Sequence, residues 1–156
     1  MPGHSKQQSA PKVFISHAAV DNILARKVRN LLRSTFEANV STTEDLSAGE
    51  DWESHLRREL AASDYVVALL TPQAVQSTFV LHDLGAAWAL GKPIISLITR
   101  RDVLNSIPLS VNESHMIELT DVDNPGRTSD ELVRRFSQIM GWHPAQQLHT
   151  PAEKRH

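Results

Sequence analysis

The sequence lacks cysteine, so disulfide bonds and thiolate metal sites are excluded. It has only six glycines, at positions 3, 49, 85, 91, 126 and 141. None of them forms the glycine-rich pattern of a dinucleotide-binding turn or of a phosphate-binding P-loop. We therefore do not expect a Rossmann enzyme or a P-loop NTPase of the standard kind.

Long hydrophobic runs and strong net charge are also missing. The longest apolar runs, such as YVVALL, are far shorter than the ~20 residues that span a bilayer. The N-terminal stretch MPGHSKQQSAPK has no apolar segment and so is not a secretory signal. The net charge of −2 creates no field typical of proteins that bind nucleic acid or anionic membranes. We expect a cytoplasmic protein with no membrane partner and no direct nucleic-acid partner.

Several common kinds of site are not favoured by the residues present. The eight histidines are scattered, and no two have the i, i+4 spacing of a helical metal site, so we predict no metal. A response-regulator phosphoacceptor would need an aspartate where the third strand ends, but Thr71 stands there. Ser16 and His17 do not form a G-x-S-x-G elbow. We expect them to offer hydrogen bonds instead of forming a hydrolytic triad.

The composition indicates one globular domain with polar ends. The chain has 156 residues, of which 40% are hydrophobic and 22% charged. Residues 1–11 and 143–156 are polar and contain prolines, so we predict a disordered N-terminal tail and a flexible C-terminal tail. The folded domain is predicted at 12–142.

Short apolar runs alternate with amphipathic segments along this domain. The runs YVVALLT and PIISLIT are apolar throughout, as in strands that are covered on both faces. Strands are predicted at 12–16, 38–43, 65–71, 93–99 and 115–119. Helices are predicted after Asp21 as N-cap, from Trp52, around Asp83 up to Gly91, and from a Thr128/Glu131 capping box up to Gly141.

Helical spacing identifies the side chains expected to face the sheet. The predicted stripes are Leu24, Val28, Leu31 and Leu32; Trp52, Leu56 and Leu60; Val80, Leu84, Ala87 and Trp88; and Leu132, Val133, Phe136, Ile139 and Met140.

The order of elements predicts an α/β fold, a flavodoxin-like five-stranded parallel sheet with helices on both faces. In such sheets ligands bind beyond the carboxyl ends of the strands. The loops 16–21, 42–51 and 71–78 should line that edge, and the helix that contains Asp83 should begin there.

Asp83 is the polar exception in an apolar helix. Phe79 lies four residues before it, so the two side chains share a helical face. An aromatic ring can stack on a base or ribose, while a carboxylate can stabilise an oxocarbenium-like centre as an N-glycosidic bond breaks. The residues alone leave two interpretations open. Phe79 and Asp83 could form a site for cleavage of an N-glycosidic bond, or Asp83 could be a solvated aspartate and Phe79 a core residue.

Four segments resemble the successive motifs of a bacterial TIR (Toll/interleukin-1 receptor) domain. They are KVFISHAAVD, EDLSAGEDW, SDYVVALLTP and STFVLHDLGAAWALGKPII. The resemblance covers residues 12–100 well and 100–142 loosely. The resemblance implies the TIR fold. Because some members of the family cleave NAD+, it also implies a possible enzymatic activity.

The loop motif of the family, called the BB loop, has the pattern D-(I/L)-x-x-G-x-x-W. Asp45, Leu46, Gly49 and Trp52 match it, and Ala48 replaces the common proline. The resemblance implies that these residues take part in assembly with other TIR domains. Trp52 also begins a core stripe, so we expect it mainly to anchor the loop.

The acid motif of NAD-cleaving members is S-x-(W/F)-x-x-x-E-L. Ser77, Phe79, Asp83 and Leu84 match it, so the catalytic glutamate of the family falls on Asp83. Aspartate is shorter by one methylene, about 1.5 Å of reach. A misplacement of about 1 Å can cost about a hundredfold in rate.

The resemblance thus implies an NAD+ glycohydrolase or cyclase, with Asp83 as catalytic residue and NAD+ as substrate, without a further cofactor. Phe79, Ser16, His17, Asp45 and Ser77 would contact the substrate. Bacterial members often act in anti-phage defence after self-assembly into a homo-oligomer or filament.

Two alternatives stay open. One is a non-catalytic TIR scaffold or adaptor, since the family glutamate is replaced. Whether it is an enzyme or a scaffold, a stand-alone chain would need a separate sensor or effector protein. The other is a nucleoside-processing enzyme such as a deoxyribosyltransferase. The BB-loop match argues against this alternative. His82 is expected to be a rim residue, because adjacent helical residues do not face each other.

Overall fold

The computed structural model describes residues 10–46, 51–107, 113–119 and 125–141. It contains one five-stranded sheet in the order β2-β1-β3-β4-β5, and every strand pair is parallel. The strands are β1 Lys12–Ser16, β2 Asn39–Thr42, β3 Tyr65–Leu70, β4 Ile94–Ile98 and β5 Met116–Glu118. The helices are α1 Asn22–Phe36, α2 Trp52–Ala62, α3 Thr78–Ala89 and α4 Pro125–Met140. The predicted flavodoxin-like fold is confirmed.

The helices cover the two faces of the sheet in pairs. On one face, α1 and α4 pack on alternate residues of the central strands, and Phe36 meets Phe136 edge-to-face at 6.5 Å between ring centroids. On the other face, α2 and α3 pack over Phe14 and the apolar side chains of β3. Because β1, β3 and β4 are covered on both faces, their continuous apolar sequences are explained.

The predicted stripe of α1 is confirmed. Val28 and Leu32 are buried, and Leu24 and Leu31 pack partly buried against the same cluster. Asp21 stands at the N-cap position but makes no capping hydrogen bond with its side chain. Its carboxylate accepts a 2.6 Å hydrogen bond from the Thr71 hydroxyl, so this aspartate joins the loops that follow β1 and β3.

The predicted burial of Trp88 is wrong. Val80, Leu84 and Ala87 are buried as expected, but Trp88 is 67% exposed. Helix α3 is apolar on almost all sides, so helical spacing does not identify which face meets the sheet. The predicted end is confirmed, because Gly91 takes a left-handed conformation with φ of +69° just beyond α3.

The predicted start of the last helix at Thr128 is also wrong. Helix α4 begins at Pro125, three residues earlier, and Thr128 lies within its first turns. Proline is well suited to the first helical position because its φ is already helical and its missing N–H has no intrahelical partner there. Leu132 and Phe136 are buried, and Gly141 ends the helix with φ of +64°.

The predicted tails lie largely outside the described residues and stay predictions, as does the position of Gly49. No helix in the part of the chain that the structure describes combines the length and the apolar character needed to cross a bilayer.

Candidate functional site

The candidate site lies at the carboxyl edge of the sheet, as the fold predicts. Ser16 is the last residue of β1, and Thr71 follows the last residue of β3. Helix α3 begins beyond the same edge, after a short 3-10 turn at Ala74–Gln76. This connection brings Asp83, in the second turn of α3, over the end of β1.

Asp83 is buried and joined to the sheet by one short hydrogen bond. The Ser16 hydroxyl donates to Oδ2 of Asp83 over 2.7 Å. Ser16 points towards α3 because it alternates with Val13 and Ile15, and so shares a sheet face with Phe14. With only 3% of Asp83 exposed, the prediction of a solvated surface aspartate is excluded.

Burial changes the acidity of this carboxyl. Desolvation raises the pKa of Asp83 from 3.8 to about 6, and the hydrogen bond from Ser16 and the nearby His82 oppose the rise. The carboxyl therefore changes its charge near pH 6, far closer to neutrality than an ordinary aspartate does. Strongly shifted acids of this kind are typical of functional sites.

His82 approaches the acid, contrary to the expectation that it would lie only on the rim. Its Nδ1 is 3.8 Å from Oδ1 of Asp83, which is an ion-pair distance and too long for a hydrogen bond. The imidazole ring also meets Trp52 edge-to-face, with centroids 6.0 Å apart. The His82 side chain is therefore oriented so that its ring lies near both the Asp83 carboxylate and the Trp52 indole.

Three rings form what we call the aromatic corner, defined by Trp52, Phe79 and His82. Trp52 and Phe79 meet at 5.6 Å with an interplanar angle of 71°. Phe79 is 60% exposed, so the core reading of this ring is wrong. Trp52 is partly buried and packs against the cluster around Phe14, as expected for the start of a core stripe, while its anchoring of the BB loop stays a prediction.

His17 carries an unused hydrogen-bonding atom. Its Nδ1 lies 2.9 Å from the carbonyl oxygen of Ala18, and because a carbonyl only accepts, Nδ1 carries the proton. In a neutral ring Nε2 is then an acceptor, and the atom is buried with no partner among the described residues. An unpaired buried polar atom is costly, which makes His17 a candidate for a ligand contact.

Asp45 has a structural contact that accounts for its position. Its Oδ2 accepts the backbone N–H of Thr42 over 2.8 Å, completing a capping box at the 3-10 turn Thr43–Asp45. Oδ1 lies 4.0 Å from Arg29 on α1. Leu46 packs partly buried against the Phe14 cluster. None of these contacts reaches Asp83, so the predicted substrate role of Asp45 stays a prediction.

Ser77 caps α3. Its side-chain oxygen accepts the Val80 N–H over 3.4 Å. This contact fixes the start of the helix that carries the acid. Its predicted contact with substrate likewise stays a prediction.

The sequence prediction missed the role of His82, although a signal for it was present. His82 lies three residues after Phe79, and residues at i and i+3 share a helical face. A histidine on the face of a candidate stacking ring therefore belongs to the same corner. The link from Asp21 to Thr71 was also missed; Thr71 accepts the Ala74 N–H over 3.0 Å and so fixes the chain between β3 and α3.

No metal site emerges from the residues whose placement is described. No three His, Asp or Glu side chains among them come close enough together to hold an ion.

Several solved structures are similar to this chain. One is a 2-desoxiribosyltransferase from Leishmania mexicana, with 21% identity, a TM-score of 0.44, and a match over 58% of this chain and 65% of that chain, just under two thirds of it. Another is the TIR domains of the activated Roq1 resistosome that recognises the pathogen effector XopQ, with 13% identity, 81% and 83% coverage and a TM-score of 0.49. A third is the CMP N-glycosidase BcmB of Clostridium botulinum, with 17% identity, 78% and 96% coverage and a TM-score of 0.49. What these proteins bind or cleave is said of them alone and is not carried over to this chain.

Among curated proteins, none matches the chain. The family model of the TIR domain, in contrast, matches residues 13–134, well over half of the chain. That range runs from β1 into α4 and includes Ser16, the aromatic corner and Asp83. The chain therefore belongs to the TIR-domain family.

Proposed function

We propose that this TIR domain is an NAD+ glycohydrolase or cyclase that breaks the bond between nicotinamide and ribose. The observation that carries the proposal is the Asp83 carboxyl, buried at the carboxyl edge of the sheet and held by Ser16 at 2.7 Å. The acid motif supports the proposal, because the resemblance implies that the catalytic glutamate of the family falls on Asp83.

The chemistry requires an ionised carboxylate beside the ribose. As the C1′–N bond breaks, its electron pair passes to the pyridinium ring, and neutral nicotinamide leaves. The positive charge that develops at C1′ and the ring oxygen is stabilised by Asp83. Water then adds to C1′ and loses a proton, so NAD+ and water give nicotinamide, ADP-ribose and a proton. In a cyclase, a nucleophilic atom of the adenine moiety replaces water.

The aromatic corner supports a planar substrate next to this acid. Phe79 is 60% exposed and lies one helical turn before Asp83, so its face is open to stacking by a base or a nicotinamide ring. Nε2 of His17 has no partner among the described residues and, in a neutral ring, can accept from a ribose hydroxyl. Ser16 and Ser77 hold, respectively, the acid and the start of α3. Asp45 would border the nucleotide from the neighbouring loop.

The decisive experiment is an assay of nicotinamide release by concentrated protein at pH 7.5. We expect activity in the wild type and a loss of about a hundredfold to a thousandfold in Asp83→Ala, the usual loss when one transition-state stabiliser is removed. Asp130→Ala is the matched control, because Asp130 is an exposed aspartate on α4, across the sheet. It should retain wild-type activity.

Asp83→Glu tests the reach of the acid. Glutamate restores the side-chain length of the family motif, and we expect it to be active. If wild type releases no nicotinamide even when assembled, while Asp83→Glu turns over, then the natural chain is not an enzyme. If all variants, including wild type, behave alike, then Asp83 is not the catalytic acid.

A second candidate function is a TIR scaffold, and one observation favours it. Trp88 near the end of α3 is 67% exposed, and Leu90, which directly follows the helix, is 48% exposed. Large apolar side chains exposed close together are typical of a surface that meets a partner. The partners would be other TIR domains, or a separate sensor or effector protein. Assembly and catalysis are compatible, and the anti-phage setting implied by the resemblance fits both.

Sedimentation velocity tests the assembly surface. Trp88→Ser should reduce self-association if α3 forms the contact. Val20→Ser is the matched control, since Val20 is 73% exposed but lies before α1. Equal association of the two variants and the wild type would exclude the α3 surface.

A further inference from the structure

The two oxygens of the Asp83 carboxylate have different partners. Oδ2 accepts the Ser16 hydroxyl over 2.7 Å, from the sheet below. Oδ1 lies 3.8 Å from Nδ1 of His82, on the solvent side of α3. The carboxylate thus has a neutral donor on its buried oxygen and a group that can carry positive charge on the other.

His82 makes an aromatic contact in this position. Its ring meets Trp52 at 6.0 Å with an interplanar angle of 61°, and Trp52 in turn packs on Phe79. The His82 side chain is nevertheless 52% exposed, so it can exchange protons with water. Histidine is the side chain whose charge ordinarily changes between about pH 5 and 8.

In the described part of the chain, charged side chains on the neighbouring elements pair away from Asp83, as Lys12 of β1 does with Glu59 of α2. Strand β1 supplies Ser16 beneath the acid, and the sequences YVVALL of β3 and IISLI of β4 contain no charged side chain. The one phenol, Tyr65, points its hydroxyl to the Met140 carbonyl. On α2, His55 lies 3.9 Å from Glu59. His82 is the only charged group there that acts on the Asp83 carboxyl.

We propose that His82 is a positioning residue for Asp83: its imidazolium, held against Trp52, pairs with Oδ1 and keeps the buried carboxylate ionised and oriented. Ser16 fixes the opposite oxygen, so the carboxylate cannot rotate without losing one partner. The role of this pair in catalysis rests on the proposed function, whereas the interaction between His82 and Asp83 does not depend on it.

The loss of the imidazolium has a predictable sign. A nearby positive charge favours the ionised carboxylate, so removing it leaves desolvation less opposed and raises the pKa of Asp83 above about 6. We expect a further rise of about one unit, the low end of the range for a neighbouring charge, because His82 is half exposed. A larger fraction of the protein would then be in the neutral, inactive form near pH 7.

The test is an NMR titration of the Asp83 side-chain carboxyl carbon in the protein without substrate. His82→Phe keeps a ring against Trp52 but removes the charge, and it should raise the Asp83 midpoint by about one unit. His82→Lys restores a cation and should return the midpoint to the wild-type value or below. The control is His115→Phe, since His115 directly precedes β5 and so lies at the amino end of the sheet, whereas Asp83 lies over the carboxyl end of β1.

Two results would overturn the proposal. One is an unchanged Asp83 midpoint in His82→Phe; the other is a shift that His82→Lys fails to reverse, which would show that packing and not charge is responsible. Circular dichroism establishes that each variant is folded before it is titrated.

The pH dependence of nicotinamide release separates this inference from the proposed function. With both correct, the acid limb of kcat/KM moves upward in His82→Phe together with the carboxyl midpoint. A moved midpoint in a protein that releases no nicotinamide at any pH would contradict the proposed function and leave the positioning role intact. A moved midpoint with an unmoved acid limb would show that Asp83 is not the acid that limits the rate.

Discussion

Helices α1 and α3 pack on opposite faces of the same sheet but use their residues in opposite ways. In α1, the buried stripe ends in Leu32 and Phe36, and the outer face carries Arg26 and Lys27. In α3, a carboxylate is buried, while Trp88 is exposed. Apart from Ile23, which is 68% exposed in its first turn, α1 buries or partly buries its large apolar side chains, whereas α3 buries an acid and exposes an indole.

The difference between the two helices shows that α3 contains residues that lower the stability of the fold. A buried acid with a raised pKa and a solvent-facing indole do not help a domain to fold, and both lie on the helix for which we propose a ligand site and an assembly surface. Departures from local rules are expected to concentrate at functional sites. The predictions below test whether α1 and α3 really differ in this way.

The largest expected effect is on α1. Phe36 is fully buried, so Phe36→Ala should lower the free energy of unfolding by about 3–5 kcal/mol through lost burial and the cavity that remains. Trp88→Ala removes an even larger ring from α3 but should change it by no more than about 0.5 kcal/mol. Urea unfolding at pH 7 measures both. Comparable losses would mean that Trp88 is part of the core.

Asp83→Asn should stabilise the protein at pH 8. The pKa of Asp83 is raised from 3.8 to about 6. One pKa unit corresponds to about 1.4 kcal/mol, so keeping the carboxyl ionised costs about 3 kcal/mol of folding free energy. An amide has the same shape, can still accept from Ser16, and avoids this cost.

The sign of the pH dependence follows from the direction of the shift. Between about pH 4 and pH 6 the folded state binds more protons than the unfolded state, so wild-type stability falls as the pH rises through this window. The advantage of Asp83→Asn should therefore be greatest above pH 7 and vanish below pH 4. Unfolding curves at pH 3.5, 5 and 8 measure it, and a pH-independent difference would contradict a buried, shifted acid.

Ser16→Ala should have a smaller effect of opposite sign. It removes the donor to Oδ2 and leaves a buried carboxylate without its hydrogen bond, which costs about 2 kcal/mol at pH 8. The loss should be less at pH 4, where the carboxyl is protonated. A double-mutant cycle with Asp83→Ala, which removes the acceptor, measures the coupling, and additive effects at pH 8 would show that the 2.7 Å contact contributes nothing.

The sheet, its order and the carboxyl-edge site could be predicted because they depend on repeated patterns. Apolar runs and the spacing of Val28 and Leu32 report burial over many residues, and a parallel sheet follows from their alternation. Asp83 and Ser16 could be singled out by sequence motif, but their hydrogen bond could not, because it joins residues that lie 67 positions apart.

The errors occurred where the local pattern carried no information. Trp88 was misplaced because α3 has no polar face to distinguish. The start of α4 was misplaced because the sequence contains two signals for a helix N-terminus, Pro125 and the Thr128/Glu131 pair. The helix begins at Pro125. His82 was undervalued because its contact with Asp83 depends on Trp52, which comes from a different helix.

The smallest expected effect is on an ion pair of α1, and it completes the contrast with Asp83. Arg26 donates to both carboxylate oxygens of Glu44, over 3.0 and 2.6 Å, a better geometry than that of His82 and Asp83. The hydrogen bond from Arg26 lowers the pKa of Glu44, so its contribution is present at neutral pH and is lost as the pH falls through that lowered value. Both side chains are open to solvent, however, where water and salt screen the attraction.

Arg26→Gln should therefore change the unfolding midpoint only slightly at low salt and not measurably in about 0.5 M NaCl, where the Debye length is a few ångströms. The buried pair of Ser16 and Asp83 should keep its effect in the same salt, because solvent ions do not reach it. Unfolding midpoints of Arg26→Gln and Ser16→Ala at two salt concentrations make the comparison. Equal salt sensitivity would mean that Asp83 is screened like a surface charge, and that α3 does not hold its acid in a dry site.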